Sequence, residues 1–500
     1  MKKFFVSLSV ALALCLGFGA CQKEAEVFSY VDTDKAFEDL DAIDNATMGI
    51  YRDFAYYRFF GRNVLAIGDM AGRTGVASAS AGHFVAINDY TFNERTQDLD
   101  QVWDGGYRVI AGSVYVIQGA QKLLTRYKDA LSDPKQESEA RQALCRLYAD
   151  MSQAYAMRAM SEFALLNIFA PPYKGHQGDL GIVLLSESTP PDKFAHVSRA
   201  TVGEGYASVL SYIDKAIAAY GEYEANAIAL QTAKVTVPFY YDANYFGSGA
   251  IYALQARVYL YQEEWDKAIE AGKNALQEQE IDPTTATPLN GAEYLAMWKK
   301  LSTNSAEHIF VLAKSEADNL SANALNTLYG GYEGETPLKR KGYFAAGTKD
   351  IRAQLIGNVE SSKPNAEQPI KWGGIPGSQA VSNIPIFRVS EVMLNLAECY
   401  LRKGDLTNAK HFLNFTAQRD PDVVMPSDAS GLETLLKHER VCELFAEGFD
   451  FYDLRRWGET IDKGNSGRFD LGNFAYPIPS TEVNSGFGVV QNPDTFWSPK

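Results

Sequence analysis

The densest set of chemically capable side chains lies near the C-terminus. The run Lys437-His438-Glu439-Arg440-Val441-Cys442-Glu443-Leu444-Phe445-Ala446-Glu447-Gly448 leads into Phe451-Tyr452-Asp453-Leu454-Arg455-Arg456-Trp457-Gly458. On a helix Glu439 and Glu443 stand one turn apart, with Arg440 alongside. Glu447 falls a further turn on, before Gly448 stops the helix. Asp453, Arg455 and Arg456 supply charges that could pair with it. Such carboxylates could serve as acid and base. The pattern fits better a buried ion-pair network that pins the last helix to a scaffold, with Phe451, Tyr452 and Trp457 as core.

Elsewhere the familiar catalytic constellations are missing. The chain holds no GxSxG elbow, GxGxxG, P-loop, HExxH or EF-hand loop. Its histidines, at 83, 176, 196, 308, 411 and 438, are scattered, and no two sit at helical ligand spacing. Cys145, Cys399 and Cys442 are far from CxxC spacing and lie in apolar helical patterns, which reads as buried thiols rather than a disulfide or zinc site. A glycosidase would need two carboxyl groups facing one cleft. An acidic chain supplies carboxylate pairs everywhere, so their presence decides nothing.

The acidity itself excludes a partner class. Formal charge is −15, unsuited to binding a phosphate backbone. A composition of 46% hydrophobic and 22% charged residues excludes disorder over most of the length. Tyrosines number 28 against 27 phenylalanines, which suits surfaces both apolar and hydrogen-bonding, although a Tyr-rich helical core would give the same count.

The N-terminus reads as an export signal: Met1-Lys2-Lys3, an apolar stretch, then Gly19-Ala20-Cys21. Gly19-Ala20 before Cys21 resembles a bacterial lipoprotein cleavage site, which makes Cys21 the expected lipidated residue. The apolar run is shorter than the ~20 residues of a membrane-spanning helix.

The elements that would position these groups are mainly helical. Tyr206, Val209, Leu210, Ile213, Ile217 and Tyr220 form one helical stripe. Leu144, Leu147, Tyr148, Met151 and Tyr155 form another, and Val389, Val392, Met393, Leu396, Ala397 and Tyr400 a third. The pattern Ala256-x2-Tyr259-x5-Trp265-x2-Ala268 recurs as Ala397-x2-Tyr400-x5-Leu406-x2-Ala409. These read as degenerate tetratricopeptide-like helix pairs forming a scaffold lobe. Residues 281–386 and 60–100 are instead rich in Gly, Ser, Asn and Pro, without sustained period. They read as a loop-rich irregular lobe carrying the ligand site. The first holds Trp298, Tyr329, Tyr332, Tyr343, Phe344 and Trp372; the second holds Arg73, His83, Phe84 and Tyr90.

The C-terminal run strongly resembles the signature of the SusD/RagB family of Bacteroidetes outer-membrane lipoproteins, commonly ERR-x-EL-x-x-EG-x-R-x-x-DLRRW. Val441 stands where the second arginine is usual, and Asp450 where a further arginine is common. Other matches follow in family order: the segment around Trp103, Tyr107 and Ile110; residues 151–173; the two helix pairs; and Tyr476-Pro477-Ile478-Pro479 with Gln491-Asn492-Pro493. The resemblance divides the chain into a signal peptide at 1–20, a lipid tether at 21–30, an N-terminal region at 31–225, and a C-terminal region at 245–500 holding the 281–386 insert.

The resemblance implies a surface-exposed lipoprotein of the cell outer membrane that does no chemistry and needs no metal or cofactor. It would capture oligosaccharides or polysaccharides and deliver them to a SusC-like TonB-dependent transporter. Peptide or another non-sugar nutrient is the alternative cargo, a surface glycosidase a lesser one. Sugar rings stack on aromatic faces while their hydroxyls need polar neighbours. This singles out Trp372, flanked by Lys371 and Gly373-Gly374; Tyr329 and Tyr332, around Gly330-Gly331; and Arg73 and Tyr90.

Overall fold

Each predicted stripe lies on a helix that buries it. The computed structural model describes residues 37–187, 196–299, 304–359, 363–373 and 380–500; Cys21 and the signal and tether segments lie outside them. The 33-residue helix Glu137–Phe169 is the spine. It packs between Gln97–Ala130 and Val202–Thr232, so from Leu144 onward nearly every side chain is buried, as a helix covered on several sides requires. Val202–Thr232 begins with a capping box: Thr201 accepts from the Glu204 amide at 3.2 Å, and Glu204 accepts from the Thr201 amide at 2.8 Å.

The two tetratricopeptide-like pairs are present. Ser248–Tyr261 pairs with Trp265–Gln277, and Val389–Arg402 with Leu406–Ala417. Both turns use one left-handed residue, Glu263 at φ 61° and Gly404 at φ 78°. The pairs meet through Val389–Arg402 against Trp265–Gln277. Arg257 also reaches Glu391 with two bonds of 2.6 Å. Residues Asp39–Lys500 form one compact unit.

The irregular segments hold more structure than their sequence suggests. Within 281–386 lie the helix Gly291–Lys299 and the buried strand His308–Leu312, which pairs antiparallel with a second buried strand, Ile384–Arg388, at the insert's end. Five buried residues without alternation are too few to tell a buried strand from any other buried segment. Within 60–100, Asn63–Met70 is a fully buried helix.

The C-terminal charges form the network expected, with different partners. Ala429–Leu444 ends at Leu444, earlier than the glycine suggested, so Glu447 sits in the turn that follows. There it meets Arg388 at 2.8 and 2.8 Å and Lys371 at 2.7 Å, not Asp453, Arg455 or Arg456. Glu443 meets Arg388 at 3.1 Å and Arg419 at 3.1 Å. Glu439 takes both ends of Arg352 at 2.7 and 3.0 Å. Asp453 instead pairs with Arg440 and Arg456, at 2.7 and 2.9 Å. All of these groups except the half-buried Arg456 are buried.

Gly448 has a second role. Its φ is +81°, and a Cβ there would lie 2.5 Å from Leu65 Cα. Conversely, a Cβ on Gly68 would lie 2.1 Å from the Gly448 carbonyl oxygen. The helix Asn63–Met70 therefore touches the turn backbone to backbone. Gly448→Ala is expected to lose at least about 1–2 kcal/mol from φ alone, with the clash adding to it; chemical denaturation measures the loss.

Burial alone would raise the Glu443 carboxyl, yet Arg419, Arg388, Arg352 and Lys371 hold it at about 2. Glu398 is likewise raised by burial but held at about 2, chiefly by Arg456. Both folded values lie below the ~4.3 of an unfolded glutamate. The stability they contribute is complete above that value and is lost as pH falls toward 2. Glu443→Gln leaves buried cations unpaired and is expected to cost about 3–5 kcal/mol, read from urea melts at neutral pH, with a shallower loss of stability below pH ~4.

Candidate ligand-binding surface

The two irregular inserts, far apart in sequence, fold against each other. Val76 and Glu335 exchange backbone hydrogen bonds of 2.9 Å in each direction. Behind that bridge Asp69 accepts from the Tyr329 hydroxyl and from Thr74 Oγ1, both at 3.0 Å. Arg73 forks onto Asp450 at 2.7 and 3.2 Å, and the Tyr90 hydroxyl donates to the Ala71 carbonyl at 2.8 Å.

On the outer side of this seam the rings of His83 and Tyr332 stack, centroids 4.1 Å apart and planes 26° apart. Both residues are half-buried. Left-handed residues flank the pair: Gly82 at φ 76°, Phe84 at 56° and Glu333 at 56°. Non-glycine residues there cost on the order of 1–3 kcal/mol each and cluster at functional sites. Near the stack, close enough for its charge to act on His83, lies the buried Arg62, its guanidinium 4.9 Å from the Tyr57 ring centroid and 5.3 Å from that of Phe84. It donates to Asn323 at 3.2 Å and Asn63 at 3.0 Å. Tyr56, 44% exposed, meets Tyr57 at 4.5 Å. It opens onto a cleft of about 480 Å3 lined also by Arg52, Arg58, Arg108 and Lys314. Asp53 and Asp318 line the same cleft, so Tyr56 stands among charges of both signs.

The residues singled out by sequence separate by depth. Trp372 is 2% exposed; its indole donates to the Ala446 carbonyl at 2.8 Å, and its ring meets Trp298 edge-on at 6.5 Å. Tyr329, 1% exposed, is spent on Asp69. Tyr90 packs among Phe92, Phe469 and Phe474. Arg73 is part-buried and committed to Asp450. These four brace the seam, whereas Tyr332 lies half-buried at its outer side with its ring on His83. Trp103 is buried, whereas Trp457, read from the sequence as core, is half-buried. His83, Arg62, Tyr56, Tyr57 and Asn323 were not singled out. The signal for three of them is the run Tyr56-Tyr57-Arg58-Phe59-Phe60-Gly61-Arg62, dense in rings and arginine.

Residues 368–497 match the model of the SusD family. A SusD superfamily protein of Bacteroides thetaiotaomicron superposes with a TM-score of 0.75 at 23% identity, covering 91% of this chain and 99% of that one. The fold is that of the SusD superfamily. A SusD superfamily protein of Bacteroides vulgatus gives 0.73 at 21% identity over 93% and 100%. A putative sugar binding protein of the same organism gives 0.74 at 22% over 92% and 99%. No curated protein matches the sequence. The SusD resemblance read from the C-terminal run, Val441 and Asp450 included, therefore holds. Asp450 gains a reason: where arginine is common, this chain keeps an acid that clamps Arg73.

Burial lifts the Asp69 carboxyl to about 7, against the opposing hydrogen bonds from Tyr329 and Thr74. An unfolded aspartate titrates near ~3.9. The folded state therefore holds the proton longer, and stability should fall as pH rises from about 4 to 7, then level off. Asp69→Asn is expected to flatten that segment of a melting-temperature profile taken against pH.

Proposed function

We propose that this protein captures nutrient glycans at the surface of the outer membrane and delivers them to a SusC-like TonB-dependent transporter. On this reading it is anchored by lipid on Cys21 and performs no catalysis. The observation that carries the reading is the His83–Tyr332 stack, held half-open where the two inserts meet, with Arg62 and Asn323 near it. Burial, then the charge of Arg62, lowers the His83 imidazole below its ordinary range, so at neutral pH the ring offers an uncharged face and a hydrogen-bonding nitrogen. A sugar needs that combination of flat apolar face and polar edge. A similarly folded chain described as a sugar binding protein supports the same ligand class. Among the described residues no helix is long and apolar enough to cross a membrane, which accords with attachment by a lipid.

The test is a titration of the purified protein against oligosaccharides, polysaccharides and peptides, with product analysis on the same samples. Saturable binding of one glycan class without cleavage is the expected result. Tyr332→Ala should weaken it about tenfold, or about 1.4 kcal/mol, without lowering the melting temperature. Binding of peptides alone, cleavage of the glycan, or full affinity in Tyr332→Ala would each refute the reading.

A further inference from the structure

A second cavity lies on the helical side of the molecule and shares no lining residue with the surface around Tyr332. Its volume is about 410 Å3, within the range of about 300–1,000 Å3 usual for small-molecule pockets. Tyr261, Trp265 and Trp457 contribute aromatic walls. Trp265 opens the second helix of the first pair and is half-buried. Among the described residues its ring meets no other ring, and its indole N–H has no protein acceptor.

The charges lining the cavity pair off one by one. Lys174 takes Glu263 at 2.9 Å. Arg456 takes Glu398 with two bonds of 2.6 Å, and Trp457 donates to the same carboxylate at 2.8 Å. Glu433 is shared by Arg402 at 3.2 Å and Lys437 at 3.5 Å, and Lys437 also holds Glu459 at 2.7 Å. Arg455 is the remainder. It lines the cavity, is buried, and meets no carboxylate among the described residues. It donates only to the backbone carbonyls of Asn167, Ala170 and Phe474, and its Nε has no partner. A buried guanidinium without a counter-charge is costly. In a chain of formal charge −15, it leaves this cavity locally positive.

We propose that this cavity is a second ligand site, selective for a sugar ring bearing a carboxylate. The ring stacks on Trp265, and its acid sits in the positive field of Arg455, the lining cation that no carboxylate of the described residues balances. The acid supplies the counter-charge that the fold omits, and the low dielectric of the cavity strengthens the attraction.

Isothermal titration of the purified protein with D-glucuronate, D-galacturonate and D-glucose tests this. Saturable binding of a uronate is expected, with glucose at least tenfold weaker. Trp265→Ala, at a half-buried position, should weaken the uronate at least tenfold without lowering the melting temperature. Tyr332→Ala should leave it unchanged, which separates this site from the surface proposed for glycan capture. No saturable heat from either uronate, equal binding of glucose, undiminished binding in Trp265→Ala, or loss of binding in Tyr332→Ala would each overturn the proposal.

Discussion

Glu443 and Glu447 are acids buried at the end of a helix, and a buried carboxylate must find a cation. Their own helix does not supply one. Arg388 comes from the strand Ile384–Arg388, Lys371 from the irregular insert and Arg419 from the end of the second helix pair. Arg352, also from the insert, closes on Glu439 one turn earlier. The carboxylates thus gather one scaffold helix, one strand and the long insert at a single point. Without that point, nothing in the composition of 281–386 would fix where its glycines and rings come to rest.

From this anchor the chain reaches the surface in short steps. Lys371 carries Trp372 inward, where the indole closes on Ala446, beside the Gly448 turn that the helix Asn63–Met70 touches through Gly68. That helix carries Asp69, which holds Tyr329, and Tyr329 lies three residues before Tyr332. Arg73 and Asp450 tie the other insert to the start of the helix Asp450–Arg456. His83 and Tyr332 are therefore positioned by buried polar contacts behind them rather than by contacts on the surface itself. Both rings stay half-buried at the seam.

How much of this the sequence discloses depends on range. The helices were legible because their stripes are local and long. The charge network was legible as a network because Glu439, Glu443 and Glu447 fall on one face. Its partners were not, since Arg352, Lys371 and Arg388 lie 55 to 87 residues away along the chain. The same limit governs the site. Trp372, Tyr329 and Tyr332 all sit beside glycines, and glycine admits a ligand and a neighbouring backbone equally well. Only the acceptors, Ala446 and Asp69, send the first two inward. His83 gave no local signal, because its meaning comes from a ring 249 residues on; the Val76–Glu335 bridge and the Tyr329–Asp69 bond behind it bring the two together.

The central claim is that the rings of His83 and Tyr332 form the capture surface. A crystal structure of the protein with the glycan it binds most tightly tests this directly. The account requires a sugar ring against Tyr332 or His83, with its hydroxyls within hydrogen-bonding reach of the polar groups around Arg62 and Asn323. Glycan ordered elsewhere on the molecule, with this pair of rings uncovered, would contradict it.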